Sequence, residues 1–190
     1  MKDAEHYIRL AAKDGHTRSG MILGIRLALV GLRELAITDP EKYHRDLVVY
    51  VETDRCLPDA IELVTGCRLG NRALKFRDMG KMAAVFLDRR SNRAVRLAAK
   101  ESGHRRAQEM FATLEKEEAL QAGYRALPDA DLFAKRIVRV ALAPEDVPGY
   151  WAPRVLCDGC GEGIAFGREL VVGRRTLCRA CSGQNYYELL

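Results

Sequence analysis

The longest regular apolar run, Met21 to Ile37, is charged only at Arg26, Arg33 and Glu34. Apolar residues on nearly every side of a helical projection predict a helix over 20–37 that is buried most of the way round. Ser19 stands directly before it, where a helix N-cap belongs. Gly20, Gly24, Ala28 and Gly31 repeat at four, four and three residues and make a smooth face. That face admits another backbone at close range, either within the chain or across a dimer interface. Residues 3–13 read as a short amphipathic helix. Leu47-Val48-Val49-Tyr50-Val51 has the composition of a buried strand. A helix is expected over 56–65, with Pro58 tolerated in its first turn. Segments 73–77, 82–88 and 93–98 are β-like, and the polar stretch Asp88 to Asn92 predicts a hairpin turn between the last two. Further helices are expected over 101–122 and from Pro128 to about Leu142. Pro144, Pro148, Gly149 and Pro153 then mark a linker. Helices, then strands, then helices predict an α+β fold. The division expected is a core over 1–142, a linker over 143–153 and a small module over 154–190.

Composition narrows the class. A chain of 190 residues can bury a sizeable core without cross-links. With 48% hydrophobic and 30% charged residues it is neither disordered nor fibrous. No run of about 18 uncharged apolar residues exists, so a membrane span is not expected. The first ten residues lack a signal peptide's apolar region. A cytoplasmic location follows as the expectation, and thiols stay reduced there. The six cysteines then need a role other than disulfides. The net charge is +5, and from Arg154 onward there are five basic and four acidic residues. Charge this evenly spread argues against a nucleic-acid partner. Arg89-Arg90, His104-Arg105-Arg106 and Arg174-Arg175 read as solvated faces.

Cys157-Asp158-Gly159-Cys160 and Cys178-Arg179-Ala180-Cys181 are separated by 17 residues. This C-x2-C-x17-C-x2-C spacing is that of structural zinc sites. Two thiolates two residues apart can grip one ion from a tight turn, and two such pairs complete a tetrahedron. The 37 residues from Arg154 onward are too few for a sufficient core. Metal binding would supply the missing folding free energy. Four thiolates leave no open position, so the expected Zn2+, one per chain, is structural. Thiolates and ion together add −2, taking the module from +1 to −1 and weakening a nucleic-acid role further.

Two cysteines remain. Cys56 follows the apolar strand directly, and Cys67 lies between Gly66 and Gly70. Strand-to-helix junctions gather polar groups at sites in mixed architectures. Both thiols could equally be small buried hydrophobes. His16 occupies a glycine-flanked loop before the apolar helix.

Residues 14–28, DGHTRSGMILGIRLA, resemble the HGHxCPGxxLGxR motif of the FmdE family, named for the E component of formylmethanofuran dehydrogenase. Residues 52–70, ETDRCLPDAIELVTGCRLG, resemble its ExDxCxxDAIQxxTGCTxG segment, and residues 76–97 its RDYGKxAFxF stretch and the hairpin after it. The paired cysteines correspond to the auxiliary finger, of treble-clef type, that some members carry. The resemblance implies an α+β core of helices on a mostly antiparallel sheet, a homodimer, and a polar, metal-capable cleft. It further implies proximity to the enzyme that reduces CO2 onto methanofuran with a molybdenum or tungsten pterin. Three positions depart from the motif: Asp14 replaces its first histidine, Arg18 its cysteine and Ser19 its proline. A permanent cation at Arg18 repels a metal.

The leading expectation is a metal-binding accessory protein of one-carbon or molybdopterin-linked metabolism, with a core cleft for a metal or a small anionic ligand. His16, Cys56 and Cys67 are the candidate ligands of a second metal, with Asp14 as an oxygen donor. Arg18, Asp59 and Cys67 are the candidate ligand-binding residues. An enzyme is the alternative, with Cys56 as nucleophile and His16 or Lys81 as its partner. A regulatory, nucleic-acid-binding finger is the third reading. The pocket is expected to bring His16, Cys56 and Cys67 together, with Arg18 at its rim.

Overall fold

The computed structural model of the chain describes residues 2–12 and 17–188. His16 and Asp14 lie outside the described residues. The chain divides into two compact units, Met1–Ala141 and Leu142–Leu190. Segment 143–153 therefore belongs to the second unit.

In the first unit the order is α1 (Ala4–Ala11), α2 (Ser19–Glu34), β1 (Leu47–Val51), α3 (Leu57–Thr65), β2 (Leu74–Phe76), β3 (Ala83–Asp88), β4 (Arg93–Ala99), α4 (Glu101–Met110), α5 (Lys116–Ala126), α6 (Asp129–Leu132) and β5 (Phe133–Val138). The strands form one sheet in the order β2-β1-β3-β4-β5. β1 and β2 are parallel, and the other three pairings are antiparallel. One face of the sheet, carrying Val49, Val51, Ala84, Phe86, Val95 and Leu97, shares a core with Ile22, Ile25, Leu29 and Leu32 of α2.

The small-residue face of α2 turns inward. A Cβ on Gly24 would stand 2.7 Å from the Ala60 Cβ, and one on Gly31 would stand 2.5 Å from the Phe86 ring. Ala28 is fully buried. The face packs against α3 and β3 within the chain.

Four boundaries differ from expectation. Ser19 is the first helical residue, and Arg18 occupies the cap position without a side-chain cap bond. α2 ends at Glu34, where Ala36 turns left-handed at φ +58°. The N–H groups of Ala36 and Ile37 reach back to the carbonyls of Arg33 and Leu32 at 3.0 and 2.9 Å, a Schellman closure without glycine. The stretch expected as one helix over 101–122 is two, α4 and α5, which cross where Gly123 meets Ala107. The stretch expected as a helix from Pro128 gives one helical turn, α6, and then the edge strand β5.

Arg26 ties α2 to this C-terminal half. Its guanidinium donates to the carbonyls of Tyr124 and Leu127 at 2.6 Å each and pairs with Asp129. These carbonyls lie at the end of α5, where helix acceptors lack partners of their own.

The second unit holds two small hairpins: β6 (Val155–Leu156) with β7 (Gly163–Ile164), and β8 (Leu170–Val172) with β9 (Arg175–Leu177). Residues of the expected linker bond to the module, since Arg168 donates to the Asp146 carboxylate at 2.7 Å. The buried core here is Cys157, Ile164 and Leu177. Three buried side chains make a small core for a unit of this length, and one of them is a candidate ligand.

Candidate functional site: the four-cysteine cluster and the core cleft

The ligand atoms of Cys157, Cys160, Cys178 and Cys181 all lie within 4.8 Å of one another. Cys157 leads from β6 and Cys178 follows β9, so each hairpin delivers one pair. Zn–S bonds of about 2.3 Å set the sulfur–sulfur edge of a tetrahedron at about 3.8 Å. The Cys160 and Cys178 sulfurs stand 3.9 Å apart, and all four cysteines are free of disulfides. Backbone N–H groups point at the sulfurs. Gly159 and Cys178 donate to Cys157 Sγ at 3.3 and 3.2 Å, and Cys181 donates to Cys178 Sγ at 3.4 Å.

Two glycines make the first turn feasible. A Cβ on Gly159 would lie 2.8 Å from Cys181 Sγ and 3.0 Å from the Cys181 Cβ, too close for a side chain there. Gly161 adopts φ +76°, a conformation that disfavours a side chain, and donates to the Cys157 carbonyl at 2.9 Å. Asp158 locks the turn to β9, because its carboxylate accepts from the Thr176 N–H at 2.6 Å. The second pair sits on a turn, and no helix follows it among the described residues.

The protonation chemistry of the cluster is uneven. The backbone N–H groups of Cys178 and then Cys160 bring the Cys157 thiol down to about 6. Hydrogen bonding with Cys178, then Cys160, pushes Cys181 up to about 12. One thiolate forms readily and opposes the next. A divalent cation removes that opposition and deprotonates coordinating thiols. The residues present therefore fit a metal in geometry and in donor type.

The second candidate is a cleft of about 860 Å³ in the first unit, lined by Arg18, Met21, Cys56, Asp59, Glu117 and Gln121 among others. Gly20 lies against Cys56, and Gly24 lies against Leu57 and Ala60. α2 and α3 thus run side by side in the same direction, and their N-termini open together. Glu117 reaches across from α5. Its Oε1 accepts from the Ser19 N–H at 2.6 Å and its Oε2 from the Ser19 hydroxyl at 2.9 Å. Burial opposes the charged form of Glu117. The two Ser19 bonds, with Gln121 and Arg18, outweigh burial and hold the carboxyl below its ordinary value.

The structure brings Arg18, Cys56 and Asp59 to this cleft. Cys67 is elsewhere. It follows the C-terminal end of α3, is buried, and donates to the Leu47 carbonyl at 3.6 Å. A nine-residue helix separates it from Cys56, and desolvation pushes its thiol up to about 11. Cys67 is a packing residue, so the expected meeting of both thiols does not occur. Lys81 also does not line the cleft; its backbone N–H donates to the Glu52 carbonyl at 3.1 Å. Sequence reasoning misses Glu117 and Gln121. They lie about 100 residues beyond Arg18 on a charged helix, and nothing in their local sequence marks them.

Known proteins share this architecture. The family model described as FmdE, molybdenum formylmethanofuran dehydrogenase operon, matches residues 14–144. A probable S-adenosyl-L-methionine-binding protein of Archaeoglobus fulgidus is 32% identical over 92 residues, which are 46% of this chain and 25% of that protein. The chain thus spans about a quarter of that relative's length. A solved FmdE-like protein of Syntrophus aciditrophicus, of the tungsten formylmethanofuran dehydrogenase type, superposes with a TM-score of 0.63 at 24% identity, covering 98% of this chain and 96% of that one. That likeness extends the shared fold over both units. With its model matched over more than half of the sequence, the chain belongs to the FmdE family.

Proposed function

We propose that the protein is a metal-binding FmdE-family member with two separate sites: a structural zinc held by Cys157, Cys160, Cys178 and Cys181, and a core cleft for a small ligand. The observation that carries the metal reading is the four sulfurs within 4.8 Å of one another around a turn too tight for a side chain at Gly159. A closed set of four thiolates leaves no position for water or substrate, which supports a structural rather than a catalytic ion. For the cleft, a described lining with one thiol and the cationic Arg18 supports a small anionic or anion-bearing ligand over a second metal. An accessory role in one-carbon or molybdopterin-linked metabolism rests on the family's description.

The homodimer implied by resemblance is retained in this proposal on a different surface, the open edge of β5. Lys100 donates to the Leu132 carbonyl at 2.9 Å, and antiparallel alternation then turns the backbone groups of Phe133, Lys135 and Ile137 away from β4. Ile137 is 76% exposed beside that edge.

Cobalt(II) titration of metal-stripped protein tests the metal reading. Thiolate-to-metal charge-transfer bands with a tetrahedral spectrum should saturate at one ion per chain and be bleached by zinc. An octahedral spectrum, or saturation at two equivalent ions, contradicts it.

A further inference from the structure

Among the described residues, two charged side chains of the cleft make no hydrogen bond or ion pair, although Arg18 acts on the Glu117 carboxylate at longer range. Glu117 is occupied by Ser19, and Glu62 leans on Arg68 at 3.9 Å. The side chains of Arg18 and Asp59 have no hydrogen bond or ion pair with any described residue, and they do not pair with each other. Arg18 precedes α2 and Asp59 lies in the first turn of α3, so both stand at the paired helix N-termini. Leu10, Met21 and Leu63 supply an apolar surface in the same cleft.

Neither of the simplest occupants satisfies both of these described side chains, Arg18 and Asp59. An inorganic anion would satisfy Arg18 and be repelled by Asp59. A bare cation would do the reverse. The cleft's volume of about 860 Å³ is in the range of sites for organic ligands, roughly 300–1,000 Å³, and far exceeds what an ion fills. A ligand carrying both signs and an apolar body satisfies every part of the lining.

We propose that the cleft binds a zwitterionic small molecule with an α-amino-acid head. Its carboxylate meets Arg18 beside the positive ends of α2 and α3. Its ammonium meets Asp59, and its side chain lies on Leu10, Met21 and Leu63. The inference rests on the reading of the cleft as a small-ligand site and names the class of ligand.

The test uses the full chain and three probes, followed by calorimetry or ligand-observed NMR: L-methionine, N-acetyl-L-methionine, which lacks the ammonium, and L-methioninamide, which lacks the carboxylate. The wild type should prefer L-methionine to each analogue by about threefold to fivefold, the ratio a screened charge contact supports. Arg18→Ala should bind L-methionine and its amide equally. Asp59→Ala should bind L-methionine and its N-acetyl form equally. Both side chains are exposed, so neither change threatens the fold. If N-acetyl-L-methionine binds the wild type as tightly as L-methionine, the zwitterion proposal fails and the anion reading stands. If the preferences survive in both variants, the probe binds elsewhere and the proposal is overturned. If no probe binds in the millimolar range, the small-ligand reading fails with it.

Discussion

Single atoms decide what the four-cysteine turn can hold. At Gly159 even a methyl group would press on the Cys181 side chain, 2.8 Å from its Sγ. Gly159→Ala removes no ligand, yet it should weaken metal binding at least tenfold in competition with a chromophoric chelator. Unchanged affinity would show that the cage has room to spare. Glu117 is the corresponding pivot at the cleft. Its folded carboxyl is held below its ordinary value, so its contribution is present above the unfolded pKa and is lost as pH falls through the folded one. Replacing a helix-capping group costs about 0.5–2 kcal/mol. Denaturant melts of Glu117→Gln should show that deficit at neutral pH and none once the pH is below the carboxylate range. A deficit independent of pH would mean the side chain acts through packing rather than charge. Of the residues in the two sites, the four cysteines are legible because their spacing encodes their geometry. Arg18, Cys56 and Asp59 are legible through the motifs around them. Cys67 misleads, since a thiol between glycines looks alike whether it faces a cleft or a core. Glu117 is illegible because only the fold brings it to Ser19.

The elements divide by how their patterns arise. α2, α3, β1 and the β3–β4 hairpin bury one face or both, so their hydrophobic periodicity carries their identity. The end of α2 escapes the pattern because its closing residue is Ala36 and not a glycine. β5 escapes it for a different reason. Ala134, Lys135, Arg136 and Ile137 are all exposed, so no alternation survives to mark a strand, and the helix of α5 before it biases the reading. The α4–α5 break has no proline or glycine between Phe111 and Glu115; the packing of Gly123 on Ala107 sets it instead. A strand exposed on both faces and open at its edge invites pairing. Sedimentation at micromolar concentration should show a homodimer, and Ile137→Lys should shift it toward monomer. A wild-type chain that sediments as a monomer removes the proposed dimer.

The two units stand by different means. Met1–Ala141 has a continuous apolar core on one face of a five-stranded sheet. Among the described residues of Leu142–Leu190, the buried apolar cluster is Cys157, Ile164 and Leu177, the first a candidate ligand. Losing the metal should therefore unfold the second unit and leave the first folded. No described helix is long and apolar enough to cross a membrane. The most direct test is the metal content of purified protein, wild type beside Cys178→Ser, measured together with limited proteolysis. One zinc per chain is expected in the wild type. The variant should carry almost no zinc, with cleavage confined to the residues after Ala141. A variant that keeps its zinc and its resistance to protease would contradict the structural-zinc reading, as would a wild type that carries none.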